Sequence, residues 1–326
     1  MVTHKYKRKV GTGKDRTGFC WRAMLPAYAG AYYLPAPSAP LEFALALRGS
    51  KVNHHVNPNP NRLPRVVASS YLNTAPLIWS FVHGSKANAV ELSVDKAPAR
   101  CAEMLAADEV DAALVPVIEY QRIPEIAVVP DVCVGSRNAV RSVVIASKQN
   151  ELMNVRRVAL DDSSRTSVAL VKIIFREFLG FEPEWQSCPP DLKTMLENND
   201  AALIIGDPAI MIPREELRVF DVVKLWREHT GCGFVFAMWM ARANNAGRIS
   251  TIDFAAARDE ALAHLDEIVS DYQTRIALSG DEIKRYLTDN IAFRLEEDMR
   301  KGLELYFDLA RKHELIDHAK PLDFLT

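Results

Sequence analysis

The sequence predicts an α/β protein whose sheets are mainly parallel and flanked by helices. Three observations carry that reading. Short β-branched runs recur from Arg65 onward, amphipathic stretches of helical period separate them, and neutral polar loops follow several of the runs. Predicted strands fall at 65–69, 90–94, 112–115, 142–147, 157–160, 201–205 and 234–240. The clearest predicted helix covers 166–179, where Val168, Val171, Ile174, Phe175 and Phe178 recur at three- and four-residue steps and form one apolar face. From 252 to 315 the pattern is almost wholly helical, interrupted by Gly280, Gly302 and charged faces. This C-terminal region is expected to pack on one part of the body rather than to build another sheet.

Composition narrows the function. A chain of 326 residues, 48% hydrophobic and 25% charged, is ordinary for a globular protein and long enough for two domains. The net charge of -2 hides a split: residues 1–65 hold eleven Lys and Arg against two acids, Asp15 and Glu42, leaving 29 against 40 for the remainder. An acidic body lacks the concentrated basic surface that a phosphate backbone needs, so no nucleic-acid partner is expected. No membrane partner is expected either, since no run of about 18 apolar residues occurs. The five cysteines, Cys20, Cys101, Cys133, Cys188 and Cys232, form no C-x-x-C pair, and the histidines, including the adjacent His54 and His55, show no ligand spacing. Neither a disulfide framework nor a metal site is therefore expected, and reduced thiols fit a cytoplasmic protein.

Residues 1–62 combine a basic cluster (Lys5, Lys7, Arg8, Lys9), an apolar stretch broken by Pro26, and the run Asn57-Pro58-Asn59-Pro60-Asn61. They are expected to form a basic, poorly ordered extension. An export signal is disfavoured, because Pro26 interrupts the apolar region and no clear small-residue cleavage site follows. A start codon downstream of the segment would equally leave it out of the mature protein.

Chemistry is expected at three neutral polar loops that follow predicted strands, since ligands of open α/β sheets sit at the carboxyl ends of strands. The first places Ser70, Tyr71, Asn73 and Thr74 ahead of Pro76, a residue suited to the opening turn of a helix. The second runs from Asp161 to Ser167, directly before the best helix. Free N–H groups there, with Ser164, Thr166 and Ser167, would hold a carboxylate for about 0.3–1 kcal/mol if exposed, or about 2 kcal/mol if partly buried. Helix capping accounts for both loops as well as ligand binding does. In the third, Gly206 lets a ligand approach the backbone closely, while Asp207 either caps a helix beginning at Pro208 or faces the cleft. Ser142, a lone hydroxyl in an apolar run, reads by itself as packing. His229, ahead of an aromatic run, is a candidate base.

Taken together, S-Y-L-N-T-A-P-L at 70–77, V-R-S-V at 140–143, S-R-T-S at 164–167, I-I-G-D at 204–207 and T-G…F-V-F-A-M-W over 230–239 resemble the menaquinone-biosynthesis chorismate dehydratase family. Each motif alone is weak, but five in register are specific. The match runs in order over about residues 64–316 and includes Tyr286-Leu287-Thr288-Asp289-Asn290-Ile291 and Gly302-Leu303-Glu304-Leu305. Val117 stands where the resemblance leads one to expect serine, and Gly233 where it leads one to expect proline, the second affecting loop stiffness.

The resemblance implies a two-lobed fold like that of type II periplasmic binding proteins, with lobe one at 63–141 plus 238–326 and lobe two at 142–237. It implies that Asn73 and Ser142 are catalytic and that Ser70, Tyr71, Thr74, Ser164, Thr166, Ser167, Gly206 and Asp207 bind substrate once the lobes close. The implied reaction dehydrates chorismate to 3-[(1-carboxyvinyl)oxy]benzoate, the first step of the futalosine route to menaquinone, without a cofactor. The base would be Asp207, His229 or a carboxylate of the substrate itself. Two alternatives stand beside it. One is the sister enzyme making 1,4-dihydroxy-6-naphthoate, which V-R-S-V and S-R-T-S disfavour; the other is a non-catalytic solute-binding protein for an aromatic acid. The expected partner is therefore a small molecule, with a homodimer left open.

Overall fold

Unbroken apolar runs become strands buried on both faces, and these build the centres of two five-stranded sheets in the computed structural model, which describes residues 62–326. The expected basic extension up to residue 61, with Cys20, His54 and His55, lies outside the described residues. The first sheet has β1 (Arg65–Ser69), β2 (Glu91–Asp95), β3 (Ala112–Pro116), β4 (Ile126–Ser136) and β10 (Phe234–Arg242), in the order β2-β1-β3-β10-β4. The second has β5 (Val143–Ser147), β6 (Arg157–Asp161), β7 (Glu184–Cys188), β8 (Ala201–Ile205) and β9 (Arg218–Asp221), in the order β7-β6-β8-β5-β9. Strands β3, β5 and β8 are buried at every position. Alternation sorts their side chains: Val143 and Ile145 join the main core, whereas Val144 and Ala146 join a smaller cluster on the opposite face.

The expected α/β sheets are present, each with one reversed strand. In each sheet three neighbouring strands are parallel, but β10 runs antiparallel to β3 and β4, and β5 antiparallel to β8 and β9. β5 and β10 are the strands with which the chain enters a new lobe. Each comes in from the end opposite to its neighbours, so both sheets are mixed. The return to the first sheet also comes earlier than the expected 238, because Phe234 and Val235 already pair with Ser136 and Gly135. Three strands escaped the sequence reading: β4, β7 and β9. All lie at sheet edges, where Pro130, Asp131 or a polar sequence such as Glu184-Trp185-Gln186-Ser187 blurs the strand pattern.

The predicted helix over 166–179 is α-helical across Thr166–Ile173 and continues as a π turn across Ile174–Phe178. In the C-terminal region, helices Phe254–Ala263 and Leu265–Gln273 pack against helix Ala75–Val82 of the first lobe. The last helix, Glu297–Lys312, departs from the expectation of one-sided packing. It lies against β10 of the first lobe and against helix Thr166–Ile173 of the second, burying Met299, Leu303, Tyr306, Phe307 and Ala310 at helical spacing. Its end is tied to the second lobe where Lys312 Nζ and His313 Nε2 meet the Glu177 carboxylate at 2.7 and 2.8 Å.

Gly302 permits this seat. A Cβ there would stand 2.1 Å from the Gly233 carbonyl oxygen, so two backbones touch where any side chain would intrude. Gly233, expected to matter for loop stiffness, is thus a packing surface for the last helix. Gly302→Ala is expected to push this helix outward and lower unfolding stability by about 1–3 kcal/mol. A urea titration would show a lower midpoint at unchanged slope; an unchanged midpoint would mean that the helix does not depend on this contact.

Candidate functional site

Three strand ends converge on one cavity between the lobes. β1 ends at Ser69, and one turn of 3-10 helix (Leu72–Thr74) leads into helix Ala75–Val82, with Pro76 in its first turn. Thr74 sits at the N-cap of this helix without capping it; its Oγ1 instead lies 2.8 Å from Ser69 Oγ. In the second lobe β6 ends at Asp161, whose buried carboxylate accepts from Ser163 N at 2.9 Å, Ser163 Oγ at 2.5 Å and Ile205 N at 3.3 Å. Those bonds shape the turn and leave helix Thr166–Ile173 with no side-chain cap, so its first N–H groups keep their capacity for an acceptor. β8 ends at Ile205, and Gly206 follows at φ 68°, the left-handed conformation that glycine tolerates best.

The cavity holds about 60 Å³. Its polar lining comes from Ser69, Tyr71, Asn73 and Thr74 on one side and Ser164, Thr166, Ser167 and the Gly206 backbone on the other. Its apolar wall includes Leu114, Pro116, Val140, Val143, Ile205 and Phe236. Among the described residues that line it, none carries a formal charge. An apolar cavity that binds benzene measures about 150 Å³, so a ring-sized acid enters this one only when the lobes part.

Closure rests on a few contacts. The Tyr71 ring lies so close to Gly206 that a Cβ would meet it at 2.6 Å. Asp207 Oδ1 accepts the Leu72 amide proton at 3.0 Å across the lobes, and Thr166 Oγ1 accepts that of Ile118 at 3.4 Å. At the rim Arg165 reaches Glu119 at 2.8 Å and Glu103 at 3.0 Å, and Arg122 holds the other Glu119 oxygen at 2.9 Å. Burial pushes the Tyr71 hydroxyl up to about 12, so it stays a neutral donor. Burial also raises the Asp207 carboxyl to about 6, against the smaller opposing effect of the Leu72 N–H.

Seven of the ten sequence-predicted residues line the cavity: Tyr71, Asn73, Thr74, Ser164, Thr166, Ser167 and Gly206. Three do not. Ser70 is exposed, and its neighbour Ser69, one step along the strand alternation, takes the inward place. Asp207 forms the inter-lobe bond to Leu72 rather than capping its own helix or lining the cavity. Ser142 is fully buried one layer behind the wall made by Val140 and Val143; its Oγ accepts from Tyr286 OH at 2.7 Å and its carbonyl accepts from Gly206 N at 2.8 Å. His229 is exposed and stacked on Phe178 at 4.4 Å, away from the cavity lining. Val117 is buried, bonded through its amide to the Phe236 carbonyl at 3.0 Å, and does not line the cavity.

Sequence reasoning also missed Tyr286 and the Arg165–Glu119 pair. Glu119 carried a signal, because an acid inside the apolar run 114–120 calls for a buried partner.

Residues 64–312 match the family described as Menaquinone biosynthesis. Over 228 residues the chain is 30% identical to the chorismate dehydratase of Thermus thermophilus, covering 64% of this chain and 83% of that protein. A solved structure of a protein from Archaeoglobus fulgidus aligns with TM-score 0.65 at 18% identity, covering 78% of this chain and 98% of that one. The periplasmic aliphatic sulphonate binding protein of Escherichia coli aligns with TM-score 0.53 at 17% identity, covering 80% and 93%. These two likenesses establish the fold, that of the periplasmic binding proteins.

Because the folded Asp207 carboxyl is raised to about 6, the folded chain keeps a proton there that the unfolded chain has lost. The stability this group contributes is full below about pH 4 and disappears as pH rises through about 6. Asp207→Asn cannot ionise, so the wild-type urea midpoint is expected to fall relative to that of the variant across this window. Parallel pH courses for the two proteins would show that the carboxyl is not desolvated.

Proposed function

This chain belongs to the menaquinone-biosynthesis family, and from that premise we propose that it is a chorismate dehydratase, a carbon–oxygen lyase that opens the futalosine route. The observation that carries the reading is a cavity shared by two lobes and lined by neutral hydroxyls, one amide and an uncapped helix start. Chorismate brings what such a lining lacks: two carboxylates, a hydroxyl and a ring for the apolar wall.

Ser164, Thr166, Ser167 and the first N–H groups of helix Thr166–Ile173 hold one carboxylate without a cation. Asn73, with the Ser69–Thr74 hydroxyl pair beside it, meets the substrate hydroxyl. In the reaction the ring C3–H bond breaks and its electron pair becomes the C3–C4 double bond. The C4–O bond breaks in turn, and the departing hydroxide takes a proton and leaves as water. The ring becomes aromatic, so the step is strongly downhill. With no Asp, Glu or His among the described lining residues, the base is a carboxylate of the substrate, held against C3 by the closed lobes. Donors already aimed at the departing oxygen stabilise the charge that develops there. The tight pocket excludes water and suppresses the rearrangements open to a flexible chorismate.

Incubation with chorismate is expected to yield 3-[(1-carboxyvinyl)oxy]benzoate, seen by mass spectrometry as a product lighter by one water. Turnover of a cyclised futalosine derivative instead would identify the sister enzyme, and binding without turnover a solute receptor. Asn73→Ala should remain folded and lose about 10²- to 10³-fold in kcat, and Ser142→Ala, at a residue that acts from behind the wall, about tenfold. Full activity in both would remove the site assignment.

A further inference from the structure

We propose that Tyr286 is a positioning residue for this dehydration, setting the hydroxyl of Ser142 from behind the cavity wall. The inference rests on the dehydratase reading above. Tyr286 is fully buried and does not line the cavity, so it acts through its neighbours and not on substrate. Its hydroxyl donates to Ser142 Oγ at 2.7 Å. Burial lifts its ionisation far above the ordinary phenol range, against the smaller opposing effect of the Ser142 hydroxyl. The phenol therefore remains neutral at any working pH, with one proton, and that proton is engaged by Ser142. A serine that already accepts at one lone pair has its own O–H turned elsewhere, and Tyr286 decides where.

The backbone on both sides of this bond is unusual. Ahead of Ser142, Arg141 stands at φ 59° inside a three-residue turn closed by Ser142 N to Val140 O at 2.7 Å. Arg141 N is held in turn by Asp221 Oδ2 at 2.8 Å. On the other side Tyr286 opens a π turn (Tyr286–Asn290), closed by Ile291 N to Tyr286 O at 3.2 Å. The same turn sends Asn290 Nδ2 to the Ala139 carbonyl at 2.8 Å. Residues in such conformations persist only where the surroundings over-determine them, and both kinds concentrate at functional sites. Here the first residue of the π turn bonds the residue that follows the left-handed Arg141, through a single hydroxyl–hydroxyl bond. The C-terminal helices thus fix the crossover between the lobes at the residue next to Val143, which does line the cavity.

The test compares Tyr286→Phe, Ser142→Ala and the double variant, with steady-state kinetics on chorismate and thermal unfolding of each. Tyr286→Phe is expected to lower kcat about tenfold, with KM and melting temperature near wild type. The double variant should be no slower than Ser142→Ala alone, since Tyr286 acts through that serine. An unchanged kcat in Tyr286→Phe, a rise in KM alone, or losses that multiply in the double variant would each overturn the proposal. Failure of the wild type to dehydrate chorismate would overturn the dehydratase reading and this inference with it. Normal wild-type turnover beside an unaffected Tyr286→Phe would overturn this inference alone.

Discussion

The two lobes touch where the Tyr71 ring lies on the backbone of Gly206, with no room for even a methyl group between them. The same few residues tie three chain segments together. Gly206 N donates to the Ser142 carbonyl at the crossover, and Asp207 accepts the amide proton of Leu72 in the loop after β1. The width of the cavity follows from this joint, because Asn73 and Thr74 come directly after the Tyr71–Leu72 side of it and Gly206 forms the other. A positive φ and the absence of a side chain are both needed at Gly206, so the constraint is one of shape before it is one of chemistry.

Around that joint, charge is kept out of the cavity and gathered at its rim. Placing a cation inside would hold an anion strongly but would cost several kcal/mol of desolvation whenever the site is empty. Neutral hydroxyls and helix N–H groups avoid that cost and still gain when an anion brings its own charge. The ionised groups bridge the lobes at the rim, where Arg165 reaches Glu119 and Glu103. Asp161 is buried as well, and it is satisfied by three donors that hold the turn leading to Ser164.

The last helix gives the second lobe a fixed reference. It rests on Gly233 through Gly302, and its Tyr306 hydroxyl donates to the Thr166 carbonyl at 3.0 Å, at the start of the helix that faces the cavity. One helix therefore reaches from β10 to the turn that would hold a carboxylate. The glycine at 233, where the resemblance suggested proline, makes sense in this setting, since the close approach of two backbones leaves no space for a ring.

Much of this molecule was legible in local pattern. Period-two and unbroken apolar runs located β1, β3, β5 and β8 to within a residue, and polar residues after β1, β6 and β8 marked seven of the residues that line the cavity. These are short-range signals, because a strand's neighbours in sequence determine which face each side chain takes. What the tertiary structure alone decided is which distant segment covers that face. The antiparallel course of β5 and β10 depends on how the chain re-enters a lobe. The edge strands β7 and β9 are largely solvated, and β4 is interrupted by the exposed Pro130 and Asp131, so none shows a clean period. Ser69 and Ser70 differ by one step of alternation, and only the packed sheet says which points inward. The bond between Ser142 and Tyr286 joins residues 144 positions apart, a pairing that no spacing along the chain records. Periodicity reports a residue's own side of the backbone, whereas a partner from elsewhere in the chain is chosen by how the elements pack.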